Sequence, residues 1–345
     1  MEPVTHALAS LALARAGQKQ LPRFGTAIVV VAGVAPDLDF ASYVGGPFSF
    51  LRFHRAALHS VAGGAVVACA TVGAFYAFDR WRQTKPAAAR DMPHTSFAIL
   101  PALVAAAAGV AGHILLDIAS GIGVRLFWPF GVRAFAWDLL TNLDPWILIA
   151  LAAGLLIPPL FRLISEEIGD RRKRVRGRVA AIIALAMVAA YIGLRAEMHS
   201  NAIDLLLSRE YHGQVALSAG AFPSSMSPFD WRGVAVTDNT IEEVDVPVGT
   251  SARFDPDRGL THYKPDDSPA LRAGQAASAT QAYLKYARFP LAHVERIEDD
   301  YRFELHDMQF AGDDESPSNV FVRVDLDTAF HVRSQEFLFA SSPNP

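Results

Sequence analysis

Apolar residues dominate the chain as far as about Arg195 and alternate with polar ones beyond it, so two kinds of structure are predicted from one sequence. Upstream, the long apolar runs are Ser60 to Phe78, Phe97 to Ala119, Trp146 to Phe161 and Val179 to Leu194. They reach or approach the roughly 20 residues a helix needs to cross a bilayer, so three or four are expected to be transmembrane. Two shorter stretches, Val4 to Ala16 and Phe24 to Ala35, flank a polar turn from Gly17 to Arg23 that contains Pro22. They predict a hairpin of short, membrane-embedded helices.

Downstream of Glu197, Pro, Asp and Gly punctuate short runs such as Val234-Ala235-Val236, Tyr301 to Met308 and Val320 to Val324, which read as strands. One helix is expected from Ala270 to Tyr286. The expected architecture is therefore an all-α membrane bundle of about six membrane-embedded helices over residues 1–196, followed by an extramembrane α+β domain over residues 197–345.

Charge orients this arrangement. Arg15, Lys19 and Arg23 form one basic loop, Arg80, Arg82, Lys85 and Arg90 a second, and Arg171, Arg172, Lys173, Arg174, Arg176 and Arg178 a third. With six embedded helices all three fall on one side, which the positive-inside rule makes cytoplasmic. The protein is then expected to be a multi-pass protein of the bacterial inner membrane with its C-terminal domain on the periplasmic or extracellular side. The basic residues follow the first apolar stretch instead of preceding it, which reverses the order of a signal peptide.

A composition of 51% hydrophobic residues averages over the two parts, and a net charge of −4 gives no footprint for nucleic acid. The single cysteine, Cys69, lies in an apolar run, so no intrachain disulfide framework is available. Aromatics crowd the loop from Ser120 to Pro145, including Phe127, Trp128, Phe130, Phe135 and Trp137, as suits a membrane interface.

Against this apolar background the ionisable residues stand out. His6, Asp37 with Asp39, His54 with His59, and His113 with Asp117 each lie in or beside an apolar segment. Such groups are costly at membrane depth and are usually retained for a function. His113 and Asp117 are four apart, so they share one helix face. His54 and His59 are five apart and converge only if His54 precedes the helix. At 1.5 Å per residue Asp37 is about 21 Å along its helix from Arg23, and Asp117 about 30 Å from Phe97, which places the clusters toward the outward face. Competing structural roles are helix capping for the Asp pair, a packing hydrogen bond for His113 with Asp117, and snorkelling for Arg55. Asp138 and Asp144 are secondary candidates, and the histidines outside the clusters read as surface or structural.

The motifs Thr5-His6-Ala7-Leu8, Ala35-Pro36-Asp37-Leu38-Asp39, His54-Arg55 through His59-Ser60, and Gly112-His113 through Leu116-Asp117 resemble the LexA-regulated inner-membrane metal-dependent hydrolase family of bacteria over about the first 150 residues. More distantly, their order is similar to that of zinc-dependent phospholipase C and the single-strand zinc nucleases. The resemblance implies phosphoester hydrolysis. This chain lacks the further downstream His and Glu set of those soluble enzymes, which points to one or two ions instead of three.

The expected ligands are His6, Asp37, Asp39, His54, His59, His113 and Asp117, holding a divalent metal, with zinc first and manganese second. Asp37 and Asp39 are the candidates for bridging or base chemistry, and Arg55 for a phosphate clamp. The expected partner is a membrane lipid or lipid-linked substrate. Two other classes stay open: a non-enzymatic binding protein anchored by its helices, and a transporter lined by the same residues. A transporter would spread its ionisable groups over several depths, whereas here they gather toward one face.

Overall fold

The computed structural model describes residues 1–84, 97–167, 177–224, 227–249, 254–311 and 319–340. Lys85, Arg90, His94 and the basic run between Arg171 and Arg176 lie outside the described residues.

The chain opens with the expected hairpin, α1 (Pro3–Ala16) and α2 (Gly25–Val34). Glu2 starts α1 by accepting the backbone N–H groups of Val4 and Thr5, which would otherwise lack acceptors. The chain then tightens into a 3-10 helix, Ala35–Gly45, before α3 (Pro47–Phe53). The long helices follow: α4 (Val61–Gln83), α5 (Ile99–Ala119), α6 (Pro145–Glu167) and α7 (Gly177–Leu207).

Among the described residues four helical segments are long and apolar enough to cross a membrane: Gly25–Gly45, Val61–Gln83, Ile99–Ala119 and Gly177–Leu207. This corrects the expected six. The 14 residues of α1 reach only about 21 Å, short of the roughly 30 Å hydrocarbon core, and the apolar part of α6, Pro145–Phe161, is also shorter than a span.

Small residues set the spacing around α2. A side chain at Gly109 of α5 would meet the Val29 carbonyl oxygen at 2.4 Å, and one at Gly33 would meet Ser10 Oγ of α1 at 1.9 Å. The α1, α2 and α5 backbones therefore approach closely, as small residues allow between membrane helices. Ala14, Ile28, Val29, Ala32, Ala105, Ala106 and Val110 fill the space between them, with Val67, Ala68 and Val72 of α4.

The C-terminal part is built of antiparallel sheets. A short ribbon pairs β1 (Glu210–Tyr211) with β2 (Gln214–Val215) through a left-handed turn at His212 and Gly213. One sheet orders β3 (Ser218–Pro223), β4 (Asp230–Val236), β5 (Thr240–Pro247) and β6 (Leu260–Tyr263) in sequence. Trp231, Ala235, Val244 and Val246 share its core with Met198, Ala202 and Leu206 from the end of α7. A second sheet runs in the order β10, β9, β8, β7, with β7 at Pro290–Ile297, β8 at Asp300–Asp307, β9 at Val320–Leu326 and β10 at Val332–Phe339.

The expected helix from Ala270 to Tyr286 is two short pieces, α8 (Pro269–Ala276) and α9 (Ser278–Tyr283), because Ala277 takes an extended ψ of 142° between them. Leu271 and Tyr283 from these pieces pack with Phe303, Val322 and Val324. The region is thus one of sheets with short helical additions, which corrects the α+β expectation. Two compact units emerge from the contacts: Met1–Asp39 with Arg55–Phe130 and Phe135–Arg195, and Phe40–His54 with Gly131–Ala134 and Ala196–Pro345.

Candidate metal centre

The site lies in the first unit, where the ends of several elements bring ionisable side chains together. His6 sits in the first turns of α1, Asp37 in the 3-10 turn after α2, and His113 and Asp117 in the last two turns of α5. One ligand atom from each of these four residues lies within 4.8 Å of the other three. His6 Nε2 is 3.2 Å from Asp117 Oδ1, and His113 Nε2 is 3.4 Å from Asp117 Oδ2 and 3.7 Å from Asp37 Oδ1. The His6 ring stacks on His113 with centroids 3.7 Å apart.

His59 joins them from the loop before α4, which Ser60 caps by accepting the Gly63 N–H. Its Nε2 lies 2.9 Å from His113 Nε2 and 3.0 Å from Asp117 Oδ2.

Two imidazoles are oriented from behind. His113 Nδ1 donates to the Gly33 carbonyl at 2.8 Å, which turns Nε2 toward the cluster. His59 Nδ1 lies 2.8 Å from Asp39 Oδ2, the carboxylate–histidine pairing that commonly supports metal-binding histidines. Burial pushes the His59 pKa down, but its hydrogen bonds to Asp117 and Asp39 and their charges outweigh this and raise it to about 9. A bound cation would take the place of that proton.

Asp37 and Asp39 are two residues apart in a 3-10 helix, where each step turns about 120°, so they cannot point the same way. Asp37 faces His113, while Asp39 faces His59 and accepts the backbone N–H of Arg55 at 2.8 Å. Of the pair, Asp37 belongs to the four-residue group and Asp39 supports it from behind.

The chain neighbours His54 and Arg55 make different contacts. A φ of 52° at Arg55 turns the chain, and the two residues fall in different compact units. His54 stacks on Phe50 with centroids 4.3 Å apart and is not one of the clustered groups. Buried Arg55 donates to Ser120 Oγ at 2.7 Å and lies 3.2 Å from Asp117 Oδ1. The Met1 amino group also contacts Asp117 Oδ1. Asp144, a secondary candidate, caps α6 by accepting the N–H groups of Trp146 and Ile147 and accepts a hydrogen bond from the Tyr191 hydroxyl.

The residues present fit a divalent cation. Fully buried His6 has Nδ1, and Asp37 has Oδ2, without a hydrogen-bond partner among the described residues. A mixed imidazole and carboxylate set suits zinc or manganese. Two supporting groups escaped the sequence reading: the Gly33 carbonyl, which no side-chain pattern reveals, and Ser120, whose only signal is its position three residues beyond Asp117.

The profile of the family described as YdjM inner membrane protein matches residues 1–202. The chain belongs to this family. The match covers all the helices that carry the cluster and ends within α7, before the sheets begin. It supports a membrane location, in agreement with the apolar helices. No curated protein and no solved structure matches the chain.

Proposed function

We propose that the helical region is a metal-dependent phosphoester hydrolase of the inner membrane, acting on a lipid or lipid-linked phosphate. The observation that carries the proposal is the convergence of His6, Asp37, His113 and Asp117 within 4.8 Å, with one buried ring nitrogen and one carboxylate oxygen left unpartnered. These four residues would hold the ion, with His59 beside them. When bound, a divalent ion lowers the pKa of a coordinated water toward neutrality and polarises phosphoryl oxygens.

Asp39 keeps His59 in one tautomer and orientation, and the Gly33 carbonyl does the same for His113. Arg55, steadied by Ser120, places a planar cation beside the cluster, where it would balance charge developing on a phosphate. His113 and Asp117 lie within about 9 Å of the end of a candidate span, a depth that favours a substrate whose phosphate sits at headgroup level. In this reading the chain crosses the membrane several times.

One observation favours a purely structural network. Asp117 already contacts the Met1 amino group, Arg55 and three histidines, which together can balance its charge. The two readings separate in an assay of the full chain in phospholipid nanodiscs with zinc or manganese, using phosphodiester and lipid phosphate substrates. The hydrolase predicts metal-dependent phosphate release that falls at least about 100-fold in His113→Ala. Absence of turnover on every substrate, or equal turnover in the variant, would leave the structural network.

A further inference from the structure

The sheet region contains a second group of metal-binding character, unrelated to the first. Glu242 of β5 is buried to 1% exposure and pairs across the sheet with Thr261 of β6. Its Oε2 accepts the Thr261 hydroxyl at 2.7 Å, while its Oε1 has no hydrogen-bond partner among the described residues. His212, at the left-handed turn between β1 and β2, brings Nε2 to 3.0 Å from Thr261 Oγ1 and 3.9 Å from Glu242 Oε2.

A buried carboxylate with one neutral hydroxyl donor and a histidine at 3.9 Å is under-compensated, because burying a charge is costly unless it is paired and hydrogen-bonded. The adjacent Tyr211 does not relieve it. Its hydroxyl donates to the Leu206 carbonyl instead.

We propose that His212 Nε2, Thr261 Oγ1 and Glu242 Oε2 form a divalent-cation site, of zinc or manganese type, within the sheet region. The three atoms form a triangle with edges of 2.7, 3.0 and 3.9 Å, a spacing that ligands about 2.0–2.2 Å from one ion can share. One imidazole and one carboxylate are ligand types for such an ion, and the Thr261 hydroxyl oxygen lies within reach of it. The ion would supply the positive charge that Glu242 lacks and would fasten the β1–β2 ribbon to the β5–β6 edge. The sequence alone gave no hint of it, since three separated residues meet only through strand pairing. The proposal is independent of the helical cluster.

The test uses the full chain in detergent, loaded with zinc, dialysed against metal-free buffer and measured by elemental mass spectrometry. His212→Asn suits the left-handed turn, which asparagine tolerates, and its shorter side chain cannot reach Glu242. Glu242→Gln removes the carboxylate charge at nearly constant shape. The expected result is about one zinc fewer per chain in each variant than in the natural sequence, whatever the helical cluster holds. Equal zinc content in the natural sequence and in His212→Asn, whose exposed position keeps it folded, would overturn the proposal.

Discussion

Asp117 in the helical region and Glu304 in the sheet region are both carboxylates beside histidine and arginine, and the protein treats them in opposite ways. Glu304 is 20% exposed and lies on the solvent side of β8, where Arg323 donates to it at 2.7 Å and His306 stands 3.4 Å away. Asp117 is fully buried at the end of a candidate span, surrounded by three histidines, Arg55 and the Met1 amino group. Surface ion pairs of the first kind contribute modestly to stability. A buried ionic cluster with an unpartnered ring nitrogen is weak evidence for a stabilising role, which is the ground for proposing a ligand there.

The comparison breaks first at His113. His113→Ala should remove bound metal and lower phosphate release at least about 100-fold while the apolar helices still insert, as followed by activity and by helical circular dichroism. Retained activity would reduce the cluster to packing.

The next largest effect is expected at Gly109, where a side chain would strike the Val29 carbonyl at 2.4 Å. Gly109→Val should force α2 and α5 apart, cost about 1–3 kcal/mol and weaken metal binding without touching a ligand. Thermal unfolding and metal content read on the same sample check it, and an unchanged pair of values would refute the close approach.

Asp39→Asn sharpens the distinction between ligand and support. If Asp39 acts through His59, metal affinity should fall about 10–100-fold while the ion count at saturation stays the same. A lost ion at saturating metal would make Asp39 a ligand.

The smallest effect belongs to Glu304. Its pKa is lowered from 4.5 to about 2, with the His306 hydrogen bond the largest cause, followed by the opposing effect of burial and then by Arg323. A depressed carboxylate pKa stabilises above the unfolded value and loses that contribution as pH falls through the folded value. The contribution, about 1 kcal/mol, should therefore be complete above pH 4.5 and gone by about pH 2. Glu304→Gln should flatten the thermal unfolding temperature of the sheet region across that window. An unchanged slope would count against the pairing.

Much of this contrast was legible in the sequence. Four-residue spacing alone put His113 and Asp117 on one face of α5, and alternation predicted Val234 to Val236 and Val320 to Val324 as segments of β4 and β9, and Tyr301 to Met308 as β8, which ends one residue earlier where Met308 begins a 3-10 turn. Other features depended on local backbone geometry that spacing does not encode. The 3-10 turn after α2 sends Asp37 and Asp39 in different directions, and Arg55 takes a left-handed φ of 52° directly after His54. The break at Ala277 is likewise invisible to helical propensity, since alanine is a strong helix former. The Glu242 group escaped because each of its members looks ordinary until β5 and β6 pair.

The central claim is that His6, Asp37, His113 and Asp117 exist to hold a divalent ion. It is tested most directly by elemental mass spectrometry of the purified, detergent-solubilised full chain beside His113→Ala, both loaded with zinc or manganese and dialysed. The account predicts at least one ion more per chain in the natural sequence than in the variant. Equal metal content in the two, at any level including zero, would contradict it.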